Sequence, residues 1–173
     1  MELRVRAASL DELDRLAGET LAVGLFAEDR PPRGLAGLVD WRLNGLLSDW
    51  LVDGRFTPGG DAPLLFAGSP RLGIGRLLVV PLGRRADCGP SQVPRICERF
   101  ADLLARAGTA RIAAEVPAVA APEVTAEDAV EAWLAALAVH LPRVELTLLV
   151  RSPLDGVAVR LARASGWFIR EDG

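Results

Sequence analysis

The residues that could act as nucleophiles or metal ligands are few and far apart in this sequence. Two cysteines, Cys88 and Cys97, and one histidine, His140, are spread over 173 residues. Cys97 falls on the apolar face of a predicted helix, so we expect it to be buried. Cys88 lies in an Asp-Cys-Gly-Pro loop and is predicted to be an exposed thiol rather than a nucleophile, because no activating partner is evident. No catalytic motif joins these residues, so the sequence predicts neither a cofactor nor a metal site.

Other potentially reactive side chains lie on a predicted helix near residues 125–141. His140 is near the end of that helix, where the helix dipole favours a cation, and we expect a structural or exposed histidine. Glu127, Asp128 and Glu131 form a close group of carboxylates on the same helix. Their spacing places them on its polar face, which is typical of solvated surface.

Arginine supplies every basic residue of the chain. There are 20 arginines and no lysine, which excludes a Schiff-base lysine and the lysine of a P-loop. The formal charge is −3, so we expect no bulk attraction to nucleic acid or to an anionic membrane. Arg84 and Arg85 are adjacent in a loop. Such a pair is usually solvated surface, and the alternative is a contact with an anion or an acidic partner.

Composition favours a single globular domain over residues 1–173. The sequence is 50% hydrophobic and 25% charged, which is ordinary for a packed domain. The segment Met1–Arg6 lacks the apolar core of a signal peptide, and no apolar run approaches the roughly 18 residues of a membrane span. We therefore expect a cytoplasmic protein with reduced cysteines and no membrane association.

Strand and helix patterns alternate along the chain. Apolar runs closed by glycine or proline predict strands, and three- and four-residue apolar spacing predicts helices. The predicted strands are Glu2–Ala8, Leu21–Phe26, Leu64–Ala67, Ile74–Leu82, Ala110–Val116, Val144–Val150 and Trp167–Ile169. The predicted helices begin after Ser9, span about Leu35–Asp53 and Gln92–Ala107, and begin after Thr125 and at Ser152-Pro153. This order predicts an α/β domain with a mixed, mostly parallel sheet covered by helices on both faces.

Trp41 does not share the apolar stripe of the predicted Leu35–Asp53 helix. At about 100° per residue it points nearly opposite to that stripe, among Gly37, Asn44 and Ser48. An outward tryptophan exposes a large apolar area unless something covers it. Either another part of this chain covers Trp41, or the residue contacts a partner.

The stretch from Leu21 to Gly83 carries a family resemblance. Its motifs are Leu-Ala-Val-Gly-Leu-Phe, then Gly34-Leu35-Ala36-Gly37-Leu38-Val39-Asp40, Gly54-Arg55-Phe56-Thr57-Pro58-Gly59 and Arg76-Leu77-Leu78-Val79-Val80-Pro81-Leu82-Gly83. This stretch resembles the N-terminal domain of the cytosolic leucyl aminopeptidases. The resemblance implies a macro-domain-like α/β fold, and the later helix–strand units fit the same fold.

The resemblance does not bring peptidase chemistry with it. In that family, catalysis belongs to a second, C-terminal domain that holds two metals with Asp, Glu and Lys. This chain has no lysine and no Asn-Thr-Asp-Ala-Glu-Gly-Arg segment. We therefore expect a non-catalytic relative of the N-terminal domain that acts through protein interaction, either by self-association or by control of a partner, with Trp41, Arg84 and Arg85 as its candidate surface.

Macro domains bind ADP-ribose, which is the alternative that the resemblance implies. Asp11 then corresponds to the aspartate that contacts adenine, and Gly34 and Gly37 correspond to a glycine-rich phosphate loop. The sequence departs from that pattern at Ala27–Arg30, where the family has an asparagine-rich segment, and at Pro117–Pro122, which has no glycine. DNA binding, which occurs in some relatives, is disfavoured by the net charge.

Overall fold

A seven-stranded sheet forms the centre of the computed structural model, which describes residues 1–119, 121–151 and 154–170. Within these residues the strand order is β3-β4-β2-β5-β6-β1-β7. The strands are β1 (Glu2–Ala7), β2 (Thr20–Leu25), β3 (Leu64–Ala67), β4 (Arg76–Pro81), β5 (Arg111–Ala114), β6 (Glu145–Val150) and β7 (Phe168–Ile169). The helices are α1 (Leu10–Arg15), α2 (Gly34–Arg42), α3 (Leu46–Val52), α4 (Val93–Arg106), α5 (Ala126–His140) and α6 (Leu154–Ala164). The predicted α/β class with a mixed, mostly parallel sheet is confirmed.

Pairing within the sheet is parallel except at one edge. Strand β2 pairs with β4 on one side and β5 on the other, both parallel, and only β3 runs antiparallel to its neighbour β4. Strands β5, β6, β1 and β7 continue the parallel order. The carboxyl ends of β2, β4 and β5 therefore meet at one edge of the sheet, next to each other.

Both faces of the sheet are buried, which explains the continuous apolar runs of the central strands. In β4, Leu77 and Val79 belong to one core while Leu78 and Val80 belong to the other. Helices α1, α2 and α3 cover the first core, and α4, α5 and α6 cover the second. Phe100 and Trp133 pack edge-on in the second core, with ring centroids 5.5 Å apart.

The single helix predicted over Leu35–Asp53 is wrong, because the chain forms α2 and α3 instead. Asn44 and Gly45 separate them with φ values of 58° and 83°, in the left-handed region. The Asp40 carboxylate accepts hydrogen bonds from the backbone N–H groups of Leu47 at 2.8 Å and Ser48 at 3.0 Å, which caps the new helix. The apolar stripe continues across this break, so the core face was predicted correctly although the helix was not.

Cys88 is also not where the sequence places it, since it is buried with 2% of its surface exposed. Two short 3₁₀ turns, at Arg85–Asp87 and Pro90–Gln92, fold its loop onto α4. The thiol joins the core that contains Val93 and Cys97. Burial raises the pKa of both thiols, that of Cys97 to about 12, which disfavours a reactive thiolate. The burial predicted for Cys97 is confirmed.

The predicted capping residues Ser9 and Thr125 are confirmed. The Ser9 hydroxyl accepts a hydrogen bond from the Glu12 backbone N–H at 3.2 Å, and Thr125 does the same for Asp128 at 3.1 Å. The predicted start at Ser152-Pro153 lies outside the described residues. Across the ranges that the structure describes, none of the helices combines the length and the apolar content needed to cross a membrane.

The turn between α2 and α3 gives a stability prediction. Replacing Gly45 by alanine should destabilise the protein by about 1 kcal/mol, because a residue with a Cβ is disfavoured at φ 83°. A steric clash is not the cause, since no neighbouring atom lies within 4 Å of the added Cβ. Gly156→Ala is the matched control, since Gly156 also has open space but lies in α6 with an ordinary φ. That change should stabilise by roughly 0.5–1 kcal/mol. Urea denaturation of both variants measures the two signs, and equal effects would contradict the assignment.

Candidate functional site

A cavity lies at the carboxyl ends of three neighbouring parallel strands. Phe26 follows β2, Leu82 follows β4 and Glu115 follows β5, and all three line it. Ligands of open α/β sheets bind at such an edge. The cavity volume is about 70 Å³. Drug-sized ligands occupy pockets of roughly 300–1,000 Å³, so this cavity holds no more than a few water molecules or a small ion.

Two side chains reduce the space at this edge. Leu82 fills the region over Gly24, where an added Cβ would lie 2.6 Å from the Leu82 Cδ1 atom. Arg85 lies over the Phe26 ring, with its guanidinium carbon 4.3 Å from the ring centroid. Both side chains come from the segment after β4, so that segment forms one wall of the cavity.

Arg85 also forms an ion pair with a buried carboxylate. Its Nη2 atom lies 2.6 Å from Oδ1 of Asp29, whose residue is 5% exposed. The other Asp29 oxygen accepts a hydrogen bond from the Phe26 backbone N–H at 3.0 Å. Glu28 accepts one from the Arg85 backbone N–H at 2.9 Å, and this bond lowers the pKa of Glu28. These contacts join the loop after β2 to the loop after β4 beside the cavity.

Glu115 places a carboxylate at the start of α2. Its Oε2 atom accepts a hydrogen bond from the backbone N–H of Leu35 at 3.2 Å. Arg33, the N-cap residue, makes no side-chain capping bond, so Glu115 supplies the cap from a distant part of the chain. Burial raises the pKa of Glu115 to about 7, although the Leu35 hydrogen bond and the charge of Arg151 act in the opposite direction.

The structure brings together some of the residues that the sequence singled out. Gly34 and Arg85 line the cavity. Gly37 does not line it and instead packs closely on a loop, since an added Cβ would lie 2.8 Å from the Pro32 carbonyl oxygen. Asp11 is exposed in the first turn of α1 and is not among the lining residues. Arg84 is exposed on the loop before the first 3₁₀ turn.

Sequence reasoning missed Asp29 and Glu115. An acidic residue directly after a buried strand, as Glu115 is after β5, is the signal that could have identified the second. For Asp29, the signal is weaker, because its loop sequence does not show that Arg85 folds back onto it. Among the described residues, no group of three or more histidine, cysteine or acidic side chains could hold a metal ion.

The sequence matches a protein-family model over residues 22–139, and that model describes the cytosol aminopeptidase family, N-terminal domain. The chain belongs to this family. The match spans the sheet centre, the cavity and helices α2 to α5. It concerns the N-terminal domain of the family only, which lacks the catalytic domain. Comparison with curated proteins finds no match.

Solved structures of both related classes share the fold. A mutant of tomato leucine aminopeptidase aligns with a TM-score of 0.64 and 16% identity, over 93% of this chain and 35% of that one. A mutant macrodomain of Oceanobacillus iheyensis aligns with a TM-score of 0.67 and 12% identity, over 94% of this chain and 90% of that one. A Trypanosoma brucei macrodomain in complex with ADP aligns with a TM-score of 0.65 and 14% identity, over 92% of this chain and 67% of that one. The macro-domain-like fold is thus established, and the chain spans about a third of the tomato enzyme.

The raised pKa of Glu115 predicts a pH dependence of stability. Its ordinary value of 4.5 applies to the unfolded chain, and the folded value is about 7, so the folded state binds more protons between these two pH values. The contribution of Glu115 to the free energy of unfolding should therefore be fully present below pH 4.5 and be lost as the pH rises through 7. In Glu115→Gln this decrease, at most roughly 3 kcal/mol, should be lost.

Denaturation at pH 5 and pH 8 measures this difference. Glu131→Gln is the control, because Glu131 is exposed on α5 and its replacement should leave the native pH slope in place. A native slope in the Glu115→Gln variant would show that another group causes it.

Proposed function

We propose that the protein is a non-catalytic protein-interaction module of the aminopeptidase family. The observation that carries this proposal is Trp41, which is 65% exposed on α2. The family match to an N-terminal domain alone supports the absence of peptidase activity. The name of the family supports a cytoplasmic location, which we propose with it.

Trp41 does not serve the core of this domain. Helix α2 buries Leu35, Ala36 and Val39 on its inner side, and Trp41 lies away from them. The coverage of Trp41 by another part of the chain is therefore not seen among the described residues. Exposed tryptophan is rare in comparison with buried tryptophan, and tryptophan is enriched among residues that dominate binding energy.

The surface beside Trp41 has the form of a shallow groove. Its lining includes Pro31, Pro32, the Asn44–Gly45 turn and Arg71 in addition to Trp41. Its volume is about 610 Å³. Stiff proline and aromatic side chains lose little conformational entropy on binding, which suits a recognition surface. We propose this groove with Trp41 as the contact surface for a protein partner.

Replacing Trp41 by serine should weaken binding to the partner at least about tenfold, as expected for an aromatic hot spot, and leave the stability within roughly 0.5 kcal/mol. Phe168→Ser is the matched control, because Phe168 is a 68% exposed aromatic on β7 at the far edge of the sheet. Light scattering measures self-association, and affinity capture with quantitative mass spectrometry measures a different partner. Equal assembly in native protein and Trp41→Ser would remove this surface from the proposal.

A second candidate function is binding of a nucleotide derivative such as ADP-ribose. The cavity at the strand ends favours it, since it adjoins the N-terminal end of α2, where backbone N–H groups attract anions. Two observations weigh against it. The volume of about 70 Å³ is smaller than a nucleotide site, and the Leu35 N–H is already bound by the Glu115 carboxylate. A diphosphate would have to displace Glu115 and meet the charge of Asp29.

We expect no thermal shift with millimolar ADP-ribose or ADP. A ligand at 100 times its dissociation constant would stabilise the protein by about 2.7 kcal/mol, which is readily measured. Glu115→Gln serves as the comparison, because it removes the carboxylate charge but keeps the side-chain size. A shift with the native chain would support the second candidate function, whereas a shift only with the variant would show that Glu115 occupies the anion position.

A further inference from the structure

A second groove lies between the outer faces of α4 and α5. Small or apolar side chains line it, among them the buried Val93 and Ala136 and the exposed Ala135 and Val139. Val139 is 77% exposed. The groove has a volume of about 570 Å³, eight times that of the cavity at the strand ends. Helices α4 and α5 cover the face of the sheet opposite to α2, so this groove is separate from the Trp41 surface.

The charged residues that line this groove are all acidic. They are Glu98 on α4 and Asp128 and Glu131 on α5. The nearby basic residues of α4, Arg95 and Arg99, line a different cavity, beside Leu82. The chain as a whole is nearly balanced in charge, with 20 basic and 23 acidic residues, so this concentration of one sign is local. A partner that carries positive charge beside an apolar face complements such a surface.

We infer that this groove binds a basic amphipathic helix of another protein. The lining of α5 extends from Asp128 to Val139, twelve residues that span about 16 Å or three helical turns. The small alanine side chains of the lining allow the backbone of a docked helix to approach closely. The partner's apolar side chains at three- and four-residue spacing then contact this apolar lining, and its arginine or lysine side chains face the three carboxylates. This inference rests on the proposed interaction function and adds the chemistry of the partner.

A synthetic peptide tests this groove directly. The probe is a fluorescent peptide of about four helical turns with leucine on one face and arginine on its flanks. It is compared with a scrambled peptide of the same composition and with a peptide of the same length that has glutamate in place of arginine. We expect binding of the amphipathic basic peptide at least about tenfold tighter than of either comparison peptide, measured by fluorescence anisotropy. Amide chemical shifts of the labelled protein should change along α4 and α5.

Two charge-reversal double variants test whether the carboxylates of the groove bind the peptide. The double variant Glu98→Arg, Glu131→Arg should bind the basic peptide at least about tenfold more weakly. The double variant Asp11→Arg, Asp49→Arg changes the net charge equally on the other face of the sheet and should leave the affinity for the peptide unchanged. All four carboxylates are on exposed residues. Val139→Asp should weaken binding through the apolar lining. Equal binding of the scrambled peptide, shifts elsewhere, or no binding at millimolar peptide would each overturn the inference.

The same assay separates this inference from the Trp41 proposal. Trp41→Ser should bind the basic peptide as the native chain does, since α2 lies on the opposite face of the sheet. Loss of peptide binding in Trp41→Ser would contradict the assignment to the α4–α5 groove. Loss of natural assembly in Trp41→Ser with unchanged peptide binding would support both surfaces independently.

Discussion

Burial of both faces of the sheet is the constraint that decides where polar chemistry can occur in this protein. Strands β2 and β4 pair in parallel and direct apolar side chains into two separate cores. A polar side chain in the middle of β4 would lose its hydration and find no partner, at a cost of several kcal/mol. In β2, β4 and β5 polar side chains are therefore confined to the strand ends. Beyond the carboxyl ends of these strands, Asp29, Arg85 and Glu115 meet around one small cavity.

The same constraint gives two of the groups at that cavity partners within the chain. A receptive site offers backbone N–H groups and positive charge that have no internal partner. Here the Arg85 guanidinium is paired with Asp29 at 2.6 Å, and the Leu35 N–H is bound by Glu115. A deprotonated Glu115 is itself an anion, so a second anion at the same position would be repelled. The protein has the architecture of a macrodomain, and its own side chains already bind the Arg85 guanidinium and the Leu35 N–H.

The sequence predicts the architecture well because the dominant signals are local. Doubly buried strands read as apolar runs, and the caps at Ser9 and Thr125 depend on residues three positions away. The break between α2 and α3 was not predicted, because the apolar spacing continues through Asn44 and Gly45 and conceals the turn. The burial of Cys88 was not predicted, because it depends on two 3₁₀ turns that pack against α4. The role of Glu115 depends on Leu35, 80 residues earlier, which no local pattern reveals.

The outer helix faces are the part of the molecule that folding does not explain. Trp41 and Val139 expose most of their surface, and the cores are complete without them. Single exposed apolar residues are common on proteins, so exposure alone carries little weight. Each of these residues, however, lies beside a groove several times larger than the cavity at the strand ends. Because the two grooves are on opposite faces of the sheet, a molecule bound at one would leave the other accessible.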